Sequence, residues 1–205
     1  MKYLSTRNNN LKLSFFEILF QGLSNDGGLF LPCEWPTLDI EALKDKTYEE
    51  VAFKIIHPYV AKEISEKDLE KIIGDSYSLF PQENIAPTIT LDQNKHILEL
   101  FHGPTFAFKD YALQFLGNLF NYALPKASKK LTVLGAPSGD TGSAAIQAFR
   151  GKKDINVFIL HPHNRVSEVQ RRQMTTIQDE NIFNIAIEGN FDDCQKIVKE
   201  LFVDN

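Results

Sequence analysis

Three short apolar runs in the second half of the chain limit the folds that it can adopt. They are rich in β-branched residues and have the length of strands: LTVLG (131–135), NVFIL (156–160) and IFNIAI (182–187). Between and after them lie segments with helical patterning, at 141–150, about 166–176 and 191–202. This alternation with short connections predicts right-handed βαβ units, in which a parallel sheet is covered by helices on both faces.

The region before these units has a different, mostly helical pattern. In three places a serine or threonine precedes a carboxylate by three residues and predicts a helix start: Ser14 to Glu17, Thr47 to Glu50 and Ser65 to Asp68. We expect these helices to end at Gly22, near Pro58 and at Gly74. The segment NDGGLFLP predicts a turn followed by an extended stretch.

A change of pattern after Pro87 predicts the domain boundary. There TITL and HILEL flank the polar DQNK, which is typical of a β-hairpin. We therefore expect a mixed, mostly helical N-terminal domain over 1–85 and an α/β domain over 86–205. A parallel sheet of three strands is small beside the about five or six of a doubly wound domain, so we expect the second domain to be incomplete.

Composition excludes several classes of function. The 205 residues are 43% hydrophobic and 24% charged, as in ordinary globular proteins. The net charge of -5 does not suit nucleic-acid binding. Cys33 and Cys194 lack the spacing of a metal site or a disulfide framework, and no apolar run approaches a membrane span. We predict a cytoplasmic protein with no metal, nucleic-acid or membrane partner.

A glycine-containing loop between the strand LTVLG and an alanine-rich helix predicts an anion site. Its residues expose backbone N–H groups at a helix start: Ser138, Gly139, Asp140, Thr141, Gly142 and Ser143. Neither the P-loop nor the dinucleotide-binding glycine pattern fits this spacing. Glycines at such turns also serve tight packing alone, so the loop by itself leaves both interpretations open.

Lys109 lies at the predicted start of a helix, in the stretch ELFHGPTFAFKDYALQ. Most lysines are solvated surface charges. Here the helix dipole and the flanking Phe106 and Phe108 are expected to disfavour the charged form, which leaves the free amine that a nucleophile or Schiff-base former needs. The Asp110 carboxylate opposes this effect unless it caps the helix.

The lysine and the glycine loop are separated by one helix and one strand. Loops at the carboxyl ends of strands line the ligand crevice of an open α/β sheet, so the two features can face each other. An amine that forms an imine beside an anion cradle indicates pyridoxal-phosphate chemistry.

Five ordered blocks resemble threonine synthase along nearly the whole chain: LSNDGGLFLP, ELFHGPTFAFKDYALQ, APSGDTGSAA, HPHNRVSEVQRRQM and IEGNFDDCQ. The resemblance implies the fold type II pyridoxal-phosphate architecture behind a family-specific N-terminal domain. It also implies a lyase of threonine biosynthesis, which converts O-phospho-L-homoserine and water to L-threonine and phosphate by γ-elimination and β-addition of water.

The resemblance assigns roles to individual residues. Lys109 would hold pyridoxal phosphate as a Schiff base and move protons on the substrate, and the loop from Ser138 to Ser143 would bind the substrate α-carboxylate. Asp140 stands where relatives often have an asparagine that contacts the cofactor 3-hydroxyl, so this contact would involve a carboxylate.

Further polar residues follow the strand ends. Arg165 is the best-placed candidate for the substrate phosphate, whereas Arg171 and Arg172 read better as solvated helix residues. Asn190 is a second substrate-binding candidate, although a helix N-cap is the more common role for such a residue. His102 is expected to support its turn by hydrogen bonding.

Complete family members are longer, and their cofactor-phosphate loop and pyridine-nitrogen partner follow the region matched here. We therefore expect this chain alone to bind cofactor weakly or not at all and to have no turnover. A related deaminase or β-replacement synthase would keep Lys109 and the loop but should lack the LSNDGGLFLP and NFDDCQ blocks. An inactive fragment that serves as a binding module is the other alternative.

Overall fold

A computed structural model describes residues 1–81, 84–137 and 139–203 of the chain. The chain folds as two compact units, Met1–Asp75 and Ser76–Asn205. The sequence pattern predicts a domain boundary after residue 85, ten residues later than this division into units, and that boundary stays a prediction.

The first unit contains a small antiparallel sheet that the sequence pattern did not predict. Its strands are β1 (Tyr3–Ser5), β2 (Asn8–Leu13) and β3 (Phe30–Pro32), in the order β2-β1-β3. Residues of β2 are exposed or half-buried, so the strand lacks the apolar alternation that identifies a half-buried strand. Only β3, the extended stretch after NDGG, was expected.

Three α-helices and a short 3-10 helix (Glu41–Leu43) complete this unit: the α-helices are α1 (Phe15–Gln21), α2 (Tyr48–Val60) and α3 (Glu66–Tyr77), which reaches two residues beyond it. The capping boxes at Ser14 and Thr47 are confirmed, as is the end of α1 at Gly22. The end of α2 near Pro58 is confirmed, since the helix ends at Val60, whereas the predicted end at Gly74 is wrong, because α3 continues to Tyr77. A glycine inside a helix costs only about 1 kcal/mol, which the burial of neighbouring apolar side chains offsets.

Buried polar contacts tie the first unit together. The Tyr3 hydroxyl donates to the Tyr59 carbonyl oxygen at 2.9 Å, and burial raises the pKa of Tyr3 to about 12. The Glu63 carboxylate accepts the first two N–H groups of α1 at 2.8 and 2.7 Å. In the NDGG turn, Asp26 Oδ1 accepts from Ser5 Oγ and from Gly28 N, both at 2.8 Å.

The second unit has the α/β order that the sequence predicts. A hairpin of β4 (Thr88–Asp92) and β5 (Lys95–Leu98) precedes α4 (Asp110–Ala127). The remaining elements alternate: β6 (Leu131–Gly135), α5 (Thr141–Phe149), β7 (Ile155–Pro162), α6 (Glu168–Thr175), β8 (Ile182–Ile187) and α7 (Phe191–Val203). The three strands form one parallel sheet in the order β6-β7-β8. The predicted hairpin and parallel strands are confirmed.

The core of this unit forms around the central strand β7. Its side chains at Ile155, Val157 and Ile159 alternate along the strand, so they share one face, and each is at most 2% exposed. None of the described helices is long and apolar enough to cross a membrane. Within the same residues, no cluster of three or more His, Cys, Asp or Glu side chains could hold a metal ion.

Candidate active site

The parallel sheet brings three loops to one edge. In a parallel sheet the carboxyl ends of the strands lie together, so the described loop residues 136–137 and 139–140 neighbour the loops at 163–167 and 188–190. The second and third loops also touch directly. The His163 amide donates to the Ile187 carbonyl oxygen at 2.8 Å, and His163 Nδ1 lies 2.6 Å from Glu188 Oε1.

Helices α4 and α5 pack side by side and run in the same direction. Gly117 of α4 lies so close to α5 that a Cβ there would overlap the Ala148 carbonyl oxygen. About one turn further along α4, the ring of Phe120 lies with its centroid 6.5 Å from that of Phe149 in α5. Each helix leads through a short turn into one of two neighbouring parallel strands, α4 into β6 and α5 into β7, so the two helix starts lie at the same end of the sheet.

The electrostatics agree with this arrangement. Burial raises the pKa of Asp110 at the start of α4, and the charge of Asp140 at the start of α5 adds to that rise. Coulombic coupling of this kind requires the two carboxylates to lie near each other. The structure therefore brings together Lys109, which precedes Asp110, and the described part of the glycine loop.

Lys109 caps α4 with a helical backbone and a half-buried side chain. Its Nζ lies 4.8 Å from the centroid of the Phe108 ring. The expectation that phenylalanines bury the amine is wrong for this chain, because Phe106 is 74% and Phe108 56% exposed. A ring face at this distance stabilises an ammonium group instead of desolvating it.

Asp110 does not cap the helix, which was one of the two roles that the sequence left open. Its carboxylate is fully buried and accepts two hydrogen bonds from Thr105, to Oδ2 from the amide at 2.8 Å and to Oδ1 from the hydroxyl at 2.7 Å. The turn before Lys109 is thereby fastened to the helix start. His102 also supports this region, since its Nε2 lies 2.7 Å from Glu99 Oε2.

The glycine loop combines tight packing with a free helix start. Ser138 lies outside the described residues. Gly139 has φ of +84°, which favours glycine, and a Cβ on Gly142 would lie 2.8 Å from the Met174 sulfur. The Ala144 amide donates to the Asp140 carbonyl oxygen at 3.2 Å. The amides of residues 141–143 come before this first helical hydrogen bond, so they have no acceptor within the helix.

The hydroxyl of Ser143 is engaged within the loop, because Ser143 Oγ donates to the Asp140 carbonyl oxygen at 2.8 Å. Asp140 makes no side-chain cap, so its carboxylate is not committed to the start of α5. Thr141 is the first residue of that helix and is half-buried. Backbone N–H groups, more than the Ser143 hydroxyl, are therefore the donors of this loop.

The other predicted site residues differ in the hydrogen bonds and ion pairs that their side chains make. Arg165 is exposed on the loop after β7. Arg171 and Arg172 both pair with Glu168, at 2.9 and 2.8 Å, as expected for a helix surface. Asn190 Oδ1 accepts the amides of the first turn of α7, the nearer at 2.8 Å, so it acts as an N-cap.

Two glutamines of α6 were missed by the sequence analysis. Gln173 Nε2 donates to the Thr105 carbonyl oxygen at 3.3 Å, and Gln170 Nε2 would lie 3.8 Å from a Cβ on Gly139. Helix α6 thus touches both the lysine turn and the glycine loop. Their spacing of three residues, which puts both on one helix face, was the available signal.

Known proteins resemble this chain closely. Residues 2–77 match the family model described as threonine synthase N terminus. Threonine synthase of Pseudomonas aeruginosa is 50% identical over the whole chain, as is that of Schizosaccharomyces pombe. The crystal structure of threonine synthase from Brucella melitensis, described as PLP bound, superposes with a TM-score of 0.95 at 46% identity over the whole chain.

Along its whole length the chain matches the N-terminal part of threonine synthases. Its fold is that of the matching part of threonine synthases, within the fold type II pyridoxal-phosphate architecture. A yeast threonine synthase structure agrees, with a TM-score of 0.93 at 46% identity over the whole chain and 44% of the yeast chain. The chain spans less than half the length of the threonine synthases that it matches, 44% of the Pseudomonas protein and 45% of the Brucella chain.

Proposed function

We propose that this chain supplies the lysine side of the active site of a threonine synthase, which converts O-phospho-L-homoserine and water to L-threonine and phosphate with pyridoxal phosphate. One observation carries the proposal. Lys109 and the described part of the glycine loop begin two helices, α4 and α5, that pack side by side in the same direction.

The residues present fit the cofactor and an amino-acid substrate. A primary amine at an accessible helix start can bind the cofactor aldehyde, and the N–H groups at the start of α5 suit a carboxylate. We assign Lys109 and Asp140 to the cofactor, with the Asp140 carboxylate facing the 3-hydroxyl. When bound, pyridoxal phosphate supplies an electron sink for carbanions of the substrate.

We assign each part of the reaction to a group of this chain. The loop from Ser138 to Ser143 holds the α-carboxylate, so that the proton on the α carbon faces Lys109 Nζ, which removes it and later returns it. Lys109 Nζ also removes a proton from Cβ as the Cγ–O bond breaks, and the phosphate that leaves with the bonding electron pair is held by Arg165 at the same edge of the sheet. A proton is then added at Cγ, which becomes the methyl group of threonine, and water adds its oxygen at Cβ and releases its second proton. Asn190 is a weaker substrate ligand, since its side-chain oxygen caps α7.

The test is a chimera in which residues 1–205 replace the corresponding part of the Pseudomonas aeruginosa threonine synthase. We expect it to form threonine and phosphate in equal amounts, and Lys109→Ala to abolish both. Lys126→Ala is the matched control, because Lys126 lies at the other end of the same helix and also stacks on a ring, that of Tyr122 at 4.0 Å. We expect this variant to keep the activity.

Two results would contradict the proposal. A folded chimera that takes up cofactor but converts only serine or threonine would indicate a deaminase, and a folded chimera without turnover would exclude the assigned site. The 205-residue chain by itself is expected to release no phosphate from O-phosphohomoserine, which a steady-state assay checks. A cytoplasmic location remains a prediction from the sequence.

A further inference from the structure

The residue directly after Lys109 is a carboxylate that no solvent reaches. Asp110 is fully buried, and burial raises its pKa, whereas the two hydrogen bonds from Thr105 act in the opposite direction. Burying a carboxylate is costly unless its oxygens are hydrogen-bonded. We therefore expect the buried Asp110 carboxylate to serve through its hydrogen bonds, which an alanine or a leucine side chain could not accept.

These hydrogen bonds act on the turn from Gly103 to Phe106. Phe106 has φ of +61°, a left-handed conformation that costs a residue with a side chain free energy. Gly103 passes so close to Asp110 that a Cβ there would lie 2.5 Å from the Asp110 Cβ and from Oδ2. Both Thr105 hydrogen-bond donors end on the same carboxylate. Asp110 is therefore the anchor that holds this strained turn against α4.

The same turn is connected to the rest of the candidate site. Gln173 of α6 donates to the Thr105 carbonyl oxygen, so both the amide and the carbonyl of this residue are held. Asp110 also lies within electrostatic range of Asp140. Side chains of two helices, α4 and α6, therefore hold the backbone of the turn that leads into Lys109.

We propose that Asp110 is a positioning residue for Lys109, which holds Thr105 so that the turn delivers the lysine amine to the site beside the glycine loop. This inference rests on the proposed function, since it concerns the approach of Lys109 to the cofactor. A purely structural role would change the stability of the second unit but not the reactivity of Lys109 in chains that remain folded.

The experiment measures the reactivity of Lys109 directly, without turnover. The chimera that carries residues 1–205 is mixed with pyridoxal phosphate, whose aldehyde condenses with an amine to give an imine and water. Borohydride then donates a hydride to the imine and fixes the new carbon–nitrogen bond. Peptide mass spectrometry gives the extent of modification at Lys109 relative to Lys126, which shares its helix and its contact with an aromatic ring.

Three variants isolate the role of the anchor. Thr105→Val removes the hydroxyl donor at nearly constant shape, Thr105→Ser keeps both donors, and Asp110→Asn replaces one acceptor oxygen by an amide NH2 group, which can only donate. We expect wild-type Lys109 to be modified about tenfold more than Lys126. A tenfold ratio corresponds to about 1.4 kcal/mol, which is close to the contribution of one hydrogen bond to a charged group. The excess should disappear in Thr105→Val and Asp110→Asn and be retained in Thr105→Ser. Far-UV circular dichroism restricts the comparison to folded variants.

The outcomes separate this inference from the proposed function. An excess in the wild type that persists in folded Thr105→Val would overturn the positioning role and leave the function of Lys109 intact. Equal modification of Lys109 and Lys126 in the wild type would contradict the proposed role of Lys109, and the inference with it. Loss of the excess in Thr105→Ser would also overturn the inference, because that variant keeps both hydrogen bonds.

Discussion

Replacement of Gly117 by alanine tests the contact that aligns the two helix starts. Gly117 is buried in α4, and the added Cβ would overlap the Ala148 carbonyl oxygen and lie 3.0 Å from its carbonyl carbon. Non-bonded carbon atoms normally stay about 3.5 to 4.0 Å apart, so one helix must move. The obstacle is backbone of α5, which cannot rotate out of the way as a flexible side chain would.

Two effects of opposite sign determine the magnitude. Alanine is favoured over glycine in a helix interior by about 1 kcal/mol. Forcing atoms into a packed interior costs about 1 to 3 kcal/mol, and a clash with backbone belongs at the upper end of that range. We expect a net loss of about 2 kcal/mol in the unfolding free energy of the second unit, or about 8 °C in Tm for a unit of this size.

Gly74 provides the matched control. It also lies inside a helix, α3, but it is exposed and a Cβ there would meet no atom within 4 Å. Gly74→Ala should therefore show the helix propensity alone and stabilise the chain by about 0.5 to 1 kcal/mol.

Thermal unfolding followed by far-UV circular dichroism measures both variants, and peptide-resolved hydrogen exchange assigns the loss to the correct segment. Protection should fall in peptides from α4 and α5 of Gly117→Ala and stay unchanged in those from 1–75. A Gly117→Ala chain as stable as Gly74→Ala would refute the argument, since it would mean that α4 and α5 are not in backbone contact at this point.

Three substitutions test the polar contacts of the first unit. Burial, followed by the charge of Glu63, raises the pKa of Tyr3 from 10.0 to about 12, so the unfolding free energy should fall between pH 10 and 12 as only the unfolded tyrosine ionises. Tyr3→Phe should remove this fall in urea titrations across that range. The Gly28 amide, followed by the Ser5 hydroxyl, lowers the pKa of Asp26 below 3.8, so its stabilisation is present above that pH and is lost as the pH falls through the folded-state pKa. Asp26→Asn should flatten the acid side of the pH–stability curve, and an unchanged curve would contradict the assignment. Glu63→Gln should cost about 1 to 3 kcal/mol in urea unfolding, since the carboxylate accepts two amides of α1, and an equal urea midpoint would rule this out.

Local signals in the sequence located much of the second unit. The runs at 131–135 and 182–187 coincide with β6 and β8, because short runs of apolar, β-branched residues favour strands. Capping boxes at Ser14 and Thr47 were equally readable, since a side chain and the amide that it caps lie three residues apart. The glycine loop and the position of Lys109 at a helix start followed from the same kind of local pattern.

The sequence was less informative where burial depends on distant segments. Strand β2 has few apolar residues and is held by pairing with β1, so no periodicity marks it. The phenylalanines around Lys109 were expected to cover the amine, and the fold leaves both exposed. Hydrophobic residues alone do not reveal which of them a fold will bury.

By itself, the sequence determined the α/β order, the capped helix starts, the family resemblance and the candidate lysine and loop, all of which are encoded by residues near one another. Tertiary structure decided that Asp110 holds Thr105 instead of capping its helix, that α6 contacts the lysine turn through Gln173, and that α4 and α5 start side by side. The physical reason is that a side chain takes the partner that packing brings within hydrogen-bond distance, and packing joins segments far apart in the chain.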